Sequence, residues 1–227
     1  MPSGLVGALA LVLVPEISHY NELKNQAELK KRIDGALNFA VAVSLIIIPA
    51  FVACGKEFCN FLYGNEQAGL YLEVFAFMMA PMSLNHICNS ICNSLNKEYI
   101  GLRNYFFGAA ALLLCVLILP RFIGVYALLA GYIANLVITA TLNIICINKC
   151  VKISFKFLIN ALILLCLSVP VIFLGNNIQS IFNNINAPSV LSVLVMAVCM
   201  GFIVLAAVLF KVLDLSLIFK RQNKEKV

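Results

Sequence analysis

Long apolar stretches separated by short polar ones run through the chain. They cover residues 36–62, 70–95, 105–119, 124–147, 157–174 and 190–213, with a shorter piece at 5–14. An α-helix needs about 20 such residues to cross the hydrocarbon core of a bilayer, so six spanning helices are expected. The piece at 5–14 is too short to span, and it lacks the basic flank and small-residue cleavage site of a signal peptide. It reads as the last half of a helix whose beginning lies before Met1, which makes the chain a fragment on this expectation. The stretch at 105–119 is also short, but Arg103 and Arg121 flank it, where long cationic side chains reach the headgroups.

Between the first piece and the first full span lies "PEISHYNELKNQAELKKRID" at 15–34. Ile17, Tyr20, Leu23, Ala27 and Ile33 recur there at roughly helical spacing among charges. Pro15 suits a helix start, and acids come early and bases late, as the helix dipole favours. One amphipathic helix lying on the cytoplasmic headgroups is expected over 15–34. His19 within it reads as an interfacial side chain.

The second span carries a different pattern at its end, "SLNHICNSICNSLNK" (83–97). At about 100° per residue, Asn85, His86, Asn89, Asn93 and Asn96 fall within one arc of about 100°, opposite Leu84, Ile87, Ile91 and Leu95. A polar face on an otherwise apolar helix meets protein or water, since hydrocarbon leaves its groups unsatisfied. Two readings stay open. The amides join neighbouring helices, or Asn85, His86, Asn89 and Asn93 line a polar pathway for a substrate headgroup at an interface between lobes.

Composition supports the membrane setting. Apolar residues make up 63% of the 227 and charged residues 11%, with a mean hydropathy of +1.00. Soluble domains carry about 45–50% and about 25% respectively. Of the 16 Lys and Arg, all but Lys56 and Arg121 fall on one side of the expected topology, and the positive-inside rule assigns that side to the cytoplasm. The basic tail at 214–227 is then cytoplasmic, and the uncharged "GNNIQSIFNNINAP" (175–188) is an outer loop. The net charge of +6 is a topological signal with contact to anionic membrane lipids, and it does not point to nucleic acid.

Several short motifs resemble those of the stage V sporulation protein B family. These are "ALALVLVPEIS" (8–18), "KKRID" (30–34), "EFCNFLYGNEQA" (57–68), and "GVYALLAGYIANLVITATLNI" (124–144). Where that family carries Gln-Gln and later Gly-Leu-Gly-Lys, this chain has Asn85-His86 and Ser94-Leu95-Asn96-Lys97. The family belongs to the multidrug/oligosaccharidyl-lipid/polysaccharide exporter superfamily, which includes lipid II flippases. The resemblance covers nearly the whole chain but only the family's second half.

It implies an all-α polytopic bundle, the C-terminal lobe of a two-lobe transporter followed by two additional helices. The corresponding division is the end of a helix (1–14), a cytoplasmic helix (15–34), lobe helices (35–147), two extra helices (148–213) and the tail (214–227). It also implies alternating access in a bacterial plasma membrane. The cargo would be a lipid-linked saccharide, either a peptidoglycan precursor or a polysaccharide repeat unit. The N-terminal lobe would lie elsewhere, in the same or a separate chain. A cation-coupled drug or metabolite exporter, and a half-transporter dependent on a partner, are the alternatives.

The remaining polar residues carry little chemistry. Glu73 is the one acid well inside a span, near its outer end, and reads either as an ion-coupling or gating group or as a hydrogen-bonding partner of a neighbouring helix. Pro49, Pro81 and Pro170 lie within spans and shape packing. Cys88/Cys92 and Cys146/Cys150 are i, i+4 pairs without a carboxylate or second histidine at ligand spacing, so neither a metal nor a cofactor is expected. With His19 and His86 alone, and no hydrolase, zinc-protease or phosphate-loop pattern, the chain does not read as an enzyme.

Overall fold

The computed structural model describes residues 2–124, 126–154 and 156–184, together with Ala197, Val198 and Gly201. The expected span at 190–213 and the tail at 214–227 lie outside the described residues, apart from those three positions. The described chain is all helix: α1 (Pro2–Glu22), α2 (Gln26–Tyr63), α3 (Glu66–Ala76), α4 (Met79–Ser94), α5 (Glu98–Ile118), α6 (Pro120–Ile123), α7 (Tyr126–Val151) and α8 (Lys156–Asn184). Among the described residues, three stretches are long and apolar enough to cross a membrane: Gln26–Lys56, Glu98–Ile118 and Tyr126–Val151. The protein is thus an all-α membrane-type bundle.

The helix breaks follow from local chemistry. α1 runs through Pro15, so the expected surface helix over 15–34 is instead divided between two longer helices. Its breakpoint is a helix-ending turn in which Lys24 adopts a left-handed φ of 54°. There the Lys24 N–H donates to the Asn21 carbonyl and the Asn25 N–H to that of Tyr20, the paired pattern that closes many helices. Asn25 then opens α2, its Oδ1 accepting from the Glu28 N–H at 3.3 Å. The hydrophobic spacing over 15–34 was real, since Ile17 and Ile33 are buried, but Leu23 beside the turn is exposed.

The expected single span at 70–95 is also two helices, with a turn at Phe77–Met78. Pro81 accounts for it: proline lacks the N–H that would bond the carbonyl of Phe77, four residues back, and its ring crowds that carbonyl. α3 and α4, at 11 and 16 residues, are each shorter than a span. At the other boundaries, Gly64 with φ 62° ends α2 in the Leu62-Tyr63-Gly64 motif, and Asn65 caps α3, accepting from Gln67 N at 2.9 Å. α8 continues to Asn184, so the expected outer loop at 175–188 begins as helix.

The chain forms two compact units. The first draws on Met1–Ala40 and Met78–Phe155, the second on Val41–Phe77 and Lys156–Val227. In the first, α1 packs on α4, α4 on α7 and α7 on α5. α7 and α5 run antiparallel: Gly108 of α5 lies against Asn135 and Thr139 of α7, and Gly131 of α7 against Leu112 and Cys115 of α5. Their lack of Cβ atoms sets how closely the two helices approach, as small residues commonly do between helices in a membrane. From α2, Leu29, Ile33, Leu37 and Ala40 supply a buried stripe at helical spacing.

One end of this unit collects basic groups. The Ser18 hydroxyl donates to the Ser94 carbonyl at 3.4 Å, and the Ser154 N–H donates to Asp34 Oδ1 at 2.9 Å. These bonds bring together the α1–α2 turn, the α4–α5 turn and the end of α7, and with them Lys24, Arg32, Lys97 and Lys152. Arg32 also pairs with Glu16 at 3.2 Å and lies 5.9 Å from the Tyr20 ring centre. Arg121, in α6, follows α5 at the opposite end.

In the second unit, α2 and α3 meet through glycine. A Cβ on Gly69 would collide with Lys56 Cα, and one on Gly55 would stand 3.2 Å from Glu73 Cγ. Glu73 is half-buried there, its side chain lying over Gly55.

Candidate functional site

The polar residues of α4 divide into two sets. Asn89 enters a chain of side-chain amides that crosses three helices. Asn104 Nδ2 on α5 donates to Asn143 Oδ1 on α7 at 2.8 Å, and Asn143 Nδ2 donates to Asn89 Oδ1 on α4 at 2.7 Å. A longer contact of 3.5 Å links Asn89 Nδ2 to Asn85 Oδ1. Asn104 is 2% exposed and Asn143 fully buried, while Asn89 and Asn85 are half-buried. The chain therefore runs from the interior toward the surface of the unit.

An amide suits the central position because it donates and accepts at once. Asn143 uses both capacities, one toward each neighbouring helix. Along α7 it belongs to a stripe with Thr139 and Asn135 at successive helical turns, all buried, where Thr139 Oγ1 donates to Asn135 Oδ1 at 3.3 Å. Gly108 faces that pair. The α5–α7 interface thus combines close backbone approach with internally satisfied polar groups.

His86 and Asn93 form the second set. They are the exposed residues of α4, while Ile87, Cys88, Ile91 and Cys92 are buried at 1% exposure or less. This orientation is the reverse of that on α5, whose exposed side carries Leu102, Tyr105, Phe106, Phe107, Leu113, Leu114 and Leu117. In a chain that crosses a membrane, the α5 face suits lipid tails. The α4 face does not, because an exposed imidazole and amide in hydrocarbon lose their hydrogen bonds to water.

Of the four residues singled out from sequence, Asn85 and Asn89 therefore stand in the interhelical amide chain, and His86 and Asn93 stand outside it on the surface of α4. Glu73 belongs to the second unit, where its side chain lies against Gly55. Asn104 and Asn143 were missed. The available signal was the i, i+4, i+8 spacing of Asn135, Thr139 and Asn143 in an apolar helix, which places three polar groups on one stripe.

The α4–α5 turn completes the site. Asn96 adopts a φ of 56°, its N–H donating to the Asn93 carbonyl, while the Lys97 N–H donates to that of Cys92 at 2.9 Å. This is the two-bond closure favoured by glycine, with asparagine the usual substitute. Among the described residues, no group of three or more His, Cys, Asp or Glu side chains is arranged to hold a metal ion. Comparisons with family models, with curated proteins and with solved structures find no match.

Proposed function

We propose that this chain forms one lobe of a membrane flippase that moves a lipid-linked saccharide, with the polar face of α4 lining the path of the headgroup. The observation that carries the reading is the inversion of α4. It buries isoleucine and cysteine and exposes His86 and Asn93, whereas α5 in the same unit exposes leucine and phenylalanine. Such a face needs water or a second polar surface against it. A watered cavity between two lobes supplies both, and alternating access is the transport mechanism built on such cavities.

The roles then separate. Asn104, Asn143 and Asn89 tie α5, α7 and α4 together, so that α4 moves with the unit. His86 and Asn93 remain free to hydrogen-bond sugar hydroxyls or the pyrophosphate oxygens. The α5 face meets lipid tails, and the basic end of the unit, by its charge, meets anionic headgroups on the cytoplasmic side. The motif resemblance supports the choice of a saccharide on a polyprenyl carrier over a free drug or metabolite.

The test is reconstitution with the partner lobe into vesicles loaded with a fluorescent polyprenyl-pyrophosphate disaccharide. The expected result is a faster rise in the fraction of headgroup accessible to an impermeant quencher, slowed by His86→Ala together with Asn93→Ala. Flipping no faster than in empty vesicles, alongside export of a cationic dye by the same preparation, would overturn the lipid cargo in favour of the exporter.

A further inference from the structure

The outward face of α5 holds a cation within an otherwise apolar surface. Gly101, Asn104 and Gly108 form the buried seam of this helix, and the bond of 2.8 Å from Asn104 to Asn143 of α7 fixes its rotation. At about 100° per residue, Arg103 lies about 100–160° round from all three, on the opposite side. An open groove of about 390 Å³ runs along that side, lined by Tyr99, Leu102, Arg103, Phe106, Phe107 and Ala110, all of them exposed. Among the described residues, Arg103 has no ion-pair partner. The nearest acid in sequence, Glu98, sits about 140° round the helix from it.

Arg103 stands inside the apolar stretch that begins at Glu98, about 7–8 Å along the helix axis from that residue. A cation facing hydrocarbon at that depth is costly unless it reaches an anion or water. Side chains on a helix lean toward its N-terminus, and the N-terminus of α5 follows the α4–α5 turn, at the basic end of the unit. The Arg103 guanidinium is therefore directed back toward the headgroup layer, past Tyr99, while Phe106 and Phe107 lie about one turn deeper. From the surface inward the groove presents a phenol, a guanidinium and two phenyl rings. Headgroup, phosphate and acyl chain follow in that order in a phospholipid.

We propose that this groove binds one anionic phospholipid, with its phosphate on Arg103, its headgroup at Tyr99 and one acyl chain along Phe106 and Phe107. The planar guanidinium fits two phosphate oxygens at once. A zwitterionic lipid brings its own ammonium to the same phosphate, whereas an anionic lipid leaves that charge for Arg103. A phenol suits the headgroup level, where tyrosine is enriched in membrane helices. The groove has room for the phosphate, the glycerol and the upper part of one chain, and the rest of the lipid stays in the bilayer. The inference rests on the membrane setting of α5 and not on the transported cargo.

The chain contains no tryptophan, so a single introduced indole reports on its own surroundings. Phe106→Trp puts the reporter in the groove, and Leu113→Trp puts one on the same side about 10 Å further along the helix. Each variant of the whole chain is reconstituted into phosphatidylcholine vesicles. Increasing fractions of phosphatidylglycerol or phosphatidylcholine with brominated acyl chains, which quench tryptophan on contact, are then included. For Phe106→Trp, half-maximal quenching is expected at an about fivefold lower fraction of phosphatidylglycerol, the effect of one cation beside anionic lipid. Adding Arg103→Gln should bring the two lipids level, and Leu113→Trp should be quenched by both without preference. Equal quenching of Phe106→Trp by the two lipids would overturn the proposal. So would a preference that survives Arg103→Gln or that Leu113→Trp shares, since the attraction would then belong to the basic end as a whole. Leu113→Trp quenched by neither lipid would remove the bilayer setting of α5, and the groove's ligand with it.

Discussion

Replacing Asn143 with alanine removes a side chain that bonds both neighbouring helices. Two contacts disappear, 2.8 Å to Asn104 and 2.7 Å to Asn89. Interhelical hydrogen bonds in membranes average about 0.6 kcal/mol and reach about 1.7, so the pair contributes about 1–3 kcal/mol. Asn104, at 2% exposure, then has no ready access to water for its orphaned donor, which adds part of a desolvation penalty of about 1–3 kcal/mol. The half-buried Asn89 recovers a water and adds little. A total loss of about 2–4 kcal/mol is expected. Asn104→Ala should cost less, and Asn104→Ala with Asn143→Ala should cost less than the sum of the two, because neither partner is then left stranded. Unfolding in mixed micelles, followed by helical circular dichroism, measures this series. Asn93→Ala is the control, exposed and outside the amide chain, with an expected change within about 0.5 kcal/mol. If Asn143→Ala matched Asn93→Ala, or if the Asn104 and Asn143 effects simply added, the amide chain would not be what joins these helices.

Gly108→Ala should destabilise the first unit by about 1–3 kcal/mol through overpacking, because the new Cβ would meet Thr139 Oγ1 and lie 2.9 Å from the Asn135 carbonyl oxygen. Gly101→Ala on the same helix should be neutral or stabilising by up to about 1 kcal/mol, its nearest neighbour being Cys92 Cβ at 3.9 Å; the same unfolding measurement compares them, and equal effects would contradict the close α5–α7 crossing. Single cysteines placed at His86 and Asn93 in membrane vesicles should react with a water-soluble maleimide, whereas those at Ile87 and Ile91 should be protected. Protection at all four, read by mass spectrometry of the labelled peptides, would place the exposed face of α4 against lipid or protein and remove the headgroup path.

Much of the architecture was written in the spacing of side chains. The apolar runs marked α5, α7 and the long α2 as helices of membrane length, because a backbone in hydrocarbon must satisfy itself. The polar stripe of α4 was legible for the same reason, since 100° per residue fixes which side chains share a face. Proline was visible too, but as a residue that shapes packing rather than as the break at Phe77–Met78 that leaves α3 and α4 each too short to span. The division of 15–34 was hidden because Lys24 carries no signal for a left-handed turn, and the Asn25 cap is a single side chain within a continuous amphipathic pattern.

The fate of the amides was decided by tertiary structure alone. From sequence, Asn85, His86, Asn89 and Asn93 are equivalent members of one face, and Asn104 and Asn143 lie 39 residues apart with nothing to pair them. Only the antiparallel register of α5 on α7, set by Gly108 and Gly131, brings Asn104 to Asn143, and only the parallel offset of α4 on α7 brings Asn89 to the same side chain. Sequence periodicity determines a helix face within a few residues, because it is a property of the local backbone. Which faces meet, and at what height, depends on interactions summed over whole helices, and that sum is what assigned some of these polar groups to holding the unit together and left His86 and Asn93 exposed.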